Sequence, residues 1–155
     1  MMPPASPPIG LRLARTARVI SRAFDDALKA ADGSVPVWLV LLNLKIRRPS
    51  NQRELAAAVG VREATLTHHL NAMDSDGLIT RRRDTTNRRA HIVELTNAGE
   101  EAFLGLRSAA AEFDRRLRAG IAAEELSRFE ALLDRLARNV ADDASQWGGL
   151  LEAKP

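Results

Sequence analysis

Five arginines, Arg81, Arg82, Arg83, Arg88 and Arg89, fall within nine residues, and a single acid, Asp84, lies among them. Guanidinium groups crowded like this repel one another unless an anion lies alongside. Phosphate is the obvious anion, because it accepts paired N–H bonds from the planar fork. A little upstream, Ala64, Thr65, Thr67, His68 and Asn71 are all small or hydrogen-bonding residues. Thr and Asn side chains reach base edges, and Ala or a Thr methyl meets the thymine methyl. The two groups together have the chemistry of a groove-reading surface beside a backbone-binding one. Arg88 or Arg89 is expected to enter the minor groove, and the other, with Arg81, Arg82 and Arg83, to lie on phosphate.

Those side chains need particular elements to hold them. Ser50 or Asn51 can cap a helix whose apolar side is Leu55, Ala56 and Val59, and Gly60 supplies a left-handed residue to end it. A second helix starts near Arg62. Leu66, Leu70 and Met73 follow at i, i+4 and i+7, so they form a stripe toward the core. At about 100° per residue the opposite side carries Ala64, Thr67, His68 and Asn71, flanked by Thr65. Gly77 ends that helix, and a hairpin follows with arms Leu78–Arg83 and Arg88–Leu95 and a polar tip at 84–87. His91, Val93 and Leu95 alternate with Ala90, Ile92 and Glu94 along the return arm. Two helices, a Gly turn and a basic hairpin make a helix-turn-helix followed by a wing. Thr96 with Asn97-Ala-Gly-Glu-Glu then opens a further helix, its acids placed for the N-terminal dipole.

The chain of 155 residues is long enough for one domain with a buried core. Hydrophobic residues make up 45% and charged residues 28%, which is globular rather than disordered composition. The net charge is only +3, so the local crowding of arginine carries the argument, not the overall charge. No apolar run is long enough to span a membrane, and the Pro-rich start lacks the basic end and apolar stretch of a signal peptide. A cytoplasmic location is therefore expected. The absence of cysteine excludes disulfides, thiolate metal sites and thiol redox sensing.

Residues 1–9 read as a disordered Pro-rich arm, residues 10–144 as one domain and 145–155 as a tail holding Trp147. Leu13, Ala17, Ile20, Phe24 and Leu28 recur at helical spacing, which predicts a first helix over about 10–31. Val35 onward predicts a nearly all-apolar, buried second helix, with Pro36 in its first turn. The winged unit then covers 35–97. Phe103, Leu106, Ala110, Phe113 and Leu117 form one heptad-like seam, and Leu126, Phe129, Leu133, Leu136 and Val140 form another. A winged unit with its own core does not need both seams. The expectation is a mainly α fold with a small β-hairpin wing, in which helices at 10–31 and 98–142 make a homodimer. Leu13, Ala17, Ile20, Phe24, Phe113, Leu117, Leu126, Phe129, Leu133 and Leu136 would line the interface.

Several strings within this order resemble the MarR family of bacterial winged-helix regulators. They are Leu55-Ala56, Thr65-Leu-Thr, Gly77-Leu-Ile, the wing from Arg82 to Ala90, and Leu95-Thr-Asn-Ala-Gly-Glu. The resemblance covers about residues 10–142. It implies a homodimer that binds a short inverted repeat, commonly represses transcription, and often leaves DNA when a small anionic or aromatic ligand binds between the dimer and DNA-binding parts. Where the family usually has Asp before the paired arginines, this chain has Asn87, which keeps a hydrogen bond but not the charge. The lack of cysteine argues against the thiol-peroxide branch.

The remaining candidates are weaker. His69 points about 100° away from His68, toward the flank of the core stripe, so it is read as packed or pocket-lining rather than base-reading. Trp38 is either a core residue or the border of a ligand cavity near His69, and the sequence leaves both open. Adjacent histidines diverge on a helix and no acidic cluster joins them, so no metal site or cofactor is expected. No Gly-rich phosphate loop, nucleophile elbow or His-Glu metal helix supports catalysis. The rival to a DNA-binding regulator is a winged-helix protein-interaction module.

Overall fold

The computed structural model describes residues 7–47, 51–83, 85–86 and 91–141. Most of the Pro-rich arm, Ser50, the wing-tip residues Asp84, Asn87, Arg88 and Arg89, and the tail with Trp147 lie outside the described residues.

Among the described residues six helices and one hairpin run in the order α1 (Ile9–Lys29), α2 (Val35–Ile46), α3 (Gln52–Val59), α4 (Glu63–Ser75), β1 (Ile79–Arg83), β2 (His91–Leu95), α5 (Asn97–Leu117) and α6 (Ala123–Val140). Their termini follow local chemistry. Ser34 caps α2 by accepting from the Val37 N–H at 3.4 Å, with Pro36 in the first turn. Asn51 accepts from the Glu54 N–H at 2.9 Å and starts α3. Gly60, at φ 78°, ends α3 in the left-handed region, where a side chain would be strained. α1 stops two residues before the expected Ala31, in the turn that precedes Ser34.

The core is drawn from α1 to α5 and from the hairpin. Leu28, Val40, Leu41, Leu55, Leu66, Leu70, Met73, Ile79 and Leu106 are each at most 1% exposed. Each such side chain contributes about 1.5–3 kcal/mol of burial free energy before chain entropy is set against it. The nearly all-apolar α2 lies at the centre, as its composition requires. Trp38 of α2 is half-buried and stacks on Phe103 of α5, with ring centroids 5.8 Å apart and planes 11° apart. Leu44 and Lys45 of α2 border a groove of about 400 Å³ shared with β2, where Lys45 bonds both Glu100 oxygens at 2.9 and 2.6 Å.

The α5 seam divides. Phe103 and Leu106 enter the core, whereas Phe113 is half-buried against Phe24 of α1, at 5.1 Å between centroids, and Leu117 is exposed. The evenly spaced stripe therefore serves two partners in sequence. α6 buries no residue at all, although Phe129, Leu132, Leu133 and Leu136 share an apolar groove of about 370 Å³ with Ile9 and Leu13 of α1. Among the described residues no helix is long and apolar enough to cross a membrane.

Candidate nucleic-acid interface

The core stripe of α4 sets the orientation of everything else on that helix. With Leu66, Leu70 and Met73 buried, Ala64, Thr65, His68 and Asn71 are left exposed, and Thr67 and His69 are half-buried. His68 and His69 diverge, with ring centroids 5.9 Å apart and planes at 59°. Thr67 is turned toward α3. Its hydroxyl donates to the Glu63 carbonyl at 2.9 Å and accepts from the Gln52 side-chain amide at 2.7 Å. Gln52 is thus a part of this surface that sequence reading missed. It stands fifteen residues from Thr67, and no periodicity links the two.

The hairpin is antiparallel, with Ile79 opposite Leu95, Arg81 opposite Val93 and Arg83 opposite His91. Alternate residues face opposite sides of the ribbon, so Ile79, Arg81 and Arg83 share one face and Thr80 and Arg82 share the other. Arg81, Arg82 and Arg83 therefore do not share one face. Arg81, on the face of buried Ile79, reaches α4: its guanidinium donates to the Asn71 side-chain oxygen at 2.5 Å and lies 3.5 Å from an Asp74 oxygen. Arg82 forms a forked contact with Glu94 at 3.1 and 3.2 Å. That hydrogen bond first, and the guanidinium charge second, hold the Glu94 carboxyl below the usual carboxylate range. Arg83 is exposed and has no ion-pair partner among the described residues.

The wing root is fastened to the next helix. Thr96 caps α5 by accepting from the Gly99 N–H at 3.0 Å, and its hydroxyl donates to the Gly77 carbonyl at 2.5 Å. Gly99 is required by close approach, because a Cβ there would lie 2.0 Å from the Leu78 carbonyl oxygen. The exit of α4 and the start of α5 are thereby held together.

Trp38 stacks on Phe103, and the described grooves border the wing root and the faces of α1, α5 and α6. Among the described residues no group of three or more His, Asp or Glu is placed to hold a metal ion.

A helix-turn-helix with an exposed polar face, buttressed by an arginine-bearing hairpin and carried between long helices, defines a winged-helix protein of the transcription-regulator class. Comparison with known proteins narrows the class. A model of the MarR family matches residues 34–91. The solved structure of the transcriptional regulator PA3341 is 33% identical and superposes with a TM-score of 0.70, over 84% of this chain and 96% of that one. The M. tuberculosis transcriptional regulator MOSR, solved in complex with DNA, is 26% identical with a TM-score of 0.65, over 83% and 95%. PcaV from Streptomyces coelicolor, solved with its natural ligand, shares the fold at 22% identity and a TM-score of 0.73, over 88% and 99%. The chain belongs to the MarR family of winged-helix, DNA-binding transcriptional regulators.

Proposed function

We propose that the chain acts in the cytoplasm as a homodimeric repressor of a pseudo-palindromic operator. The observation that carries this reading is the exposed face of α4, where Ala64, Thr65, His68 and Asn71 stand beside the arginine-bearing hairpin. α4 enters the major groove, with His68 and Thr65 toward base edges. Arg82 and Arg83, with Arg88 and Arg89 farther along the wing, lie on the backbone and in the minor groove. The Arg82–Glu94 pair is no obstacle, since an exposed ion pair is weak and exchanges readily for phosphate.

Dimerisation is supported by the apolar faces exposed among the described residues. Phe129 is 53% exposed and Leu136 36%, and both continue the surface of Leu13 on α1. Leu13, Ala17, Ile20, Phe24, Phe113, Leu117, Leu126, Phe129, Leu133 and Leu136 meet a second copy, so that 10–31 and 98–142 form the dimer part and 35–97 the DNA-binding part. Two-fold symmetry then sets the two α4 helices about 34–36 Å apart, one turn of DNA. A small aromatic or anionic effector enters between the two parts, near Trp38 and His69, and alters that spacing. PcaV, solved with its natural ligand, supports the idea that this fold accommodates an effector.

The deciding experiment measures binding of the purified protein to the DNA flanking its own gene, beside random DNA, at two salt concentrations. Saturable, salt-sensitive binding that prefers the flanking DNA supports the reading. Failure to bind either DNA at low salt overturns it in favour of a protein-interaction module. His68→Ala should relax sequence choice more than it weakens binding to random DNA. For the effector, Trp147→Phe leaves Trp38 as the sole tryptophan. Quenching of its fluorescence by an aromatic carboxylate that also releases DNA is the expected result.

A further inference from the structure

We infer that Arg81 is a positioning residue that braces the wing against the recognition helix, and that it does not contact phosphate. The inference rests on the DNA-binding reading above and replaces the phosphate contact that the sequence suggested for Arg81. Strand alternation turns Arg81 inward with Ile79, and its side chain is 23% exposed against 57% for Arg82. Its guanidinium ends between Asn71 and Asp74, which stand three residues apart on one side of α4. Asp76, Gly77 and Leu78 connect α4 to β1, with the Leu78 N–H on the Met73 carbonyl at 2.9 Å, and beyond this backbone exit Arg81 is the side chain that ties the strand back to the helix. A planar cation anchored on two groups of the helix restricts that angle in a way a flexible ammonium would not.

The brace also fixes what Asn71 can offer. Guanidinium only donates, so the Asn71 carbonyl oxygen is the atom that meets it. Among the described residues the amide NH₂ of this exposed residue has no partner, and it presents donors to groove acceptors. The oxygen keeps a second lone pair for a base amino group, so Arg81 fixes the orientation of the amide toward the groove. Arg81 thus influences which base Asn71 accepts without touching DNA, and it holds helix and wing as one preformed reading unit.

The test compares Arg81→Met, which keeps an apolar stem, with Arg83→Met and Asn71→Ala. The DNA probes are a duplex enriched from a random-sequence pool by the parent protein and an unrelated duplex of the same length, each measured over a salt series. Loss of a phosphate contact lowers the slope of log affinity against log salt by about 1 per protomer and weakens both duplexes alike. Arg83→Met should behave in that way. Arg81→Met should leave the slope unchanged and reduce preference for the enriched duplex by about tenfold, with Asn71→Ala adding little to it.

A DNA-free measurement stands beside it. The chain has no cysteine, so nitroxide labels on Ala72→Cys and Thr85→Cys, diluted with unlabelled protein, report the helix-to-wing distance. Arg81→Met should broaden that distribution. A reduced salt slope with uniform loss, or an unbroadened distribution, overturns the brace. If the parent protein enriches no duplex, the DNA-binding reading fails and the label distances alone decide the brace.

Discussion

The winged unit and the α6 end are built from the same kinds of residue and reach opposite states. In α3 and α4, Leu55, Leu66, Leu70 and Met73 are at most 1% exposed, whereas in α6 Phe129, Leu132 and Val140 are 53%, 55% and 81% exposed. Both stripes are amphipathic at helical spacing. What separates them is the presence of a facing surface within the same chain. α3 and α4 close on each other, on α2 and on the hairpin, so their apolar groups leave water without help. Among the described residues α6 shares a groove with α1, and the rest of its apolar face is exposed. An amphipathic stripe therefore fixes which face is buried and leaves open what buries it.

That contrast predicts different failures at the two ends. Leu70→Ala should cost about 2–5 kcal/mol in denaturant unfolding, since it opens a cavity in a packed core. A loss below about 1 kcal/mol would mean that the winged unit is packed no better than the α6 face. Phe129→Asp should leave the winged unit folded by circular dichroism and raise the dimer dissociation constant at least about tenfold, read by sedimentation at several concentrations. Undiminished self-association would break the proposed interface. A smaller change is expected at the start of α3. Asn51→Ala removes a side-chain acceptor from the Glu54 N–H and should cost about 1 kcal/mol of thermal stability.

The smallest effect belongs to the wing surface. The folded pKa of Glu94 is lowered by Arg82, so this pair stabilises the native state above the ordinary carboxylate pKa and stops doing so as pH falls through the lowered value. Glu94→Gln should slightly flatten the acid limb of the stability curve and leave neutral pH almost unchanged, because both partners are solvent-exposed. A large loss at neutral pH in a thermal melt would show that this ion pair matters far more to the hairpin than an exposed pair should.

Much of this architecture was legible in the sequence, where the signal is local. Asn51 and Gly60 bracket α3 by the chemistry of helix ends. The 4-then-3 spacing of Leu66, Leu70 and Met73 sets the rotation of α4, and with it the exposure of His68 and Thr65. The strings around Gly77 and Thr96 carried the family resemblance. Less legible was Leu132, which extends the open α6 face; it stands three residues after Phe129 and four before Leu136, a signal the heptad reading passed over.

The sequence by itself determined the helices, the hairpin, the rotation of α4 and the winged-helix family, because backbone periodicity and end-capping depend on residues within a few positions of each other. Only the tertiary structure decided how the arginines divide. Arg81 is tied to Asn71 and Asp74, Arg82 is paired with Glu94, and Arg83 is exposed to solvent. It also decided that the even α5 stripe splits between the core and a surface shared with α1, and that Thr67 turns to Gln52. In each case the partner is distant along the chain, and the interaction exists only because packing brings two elements within a few ångströms.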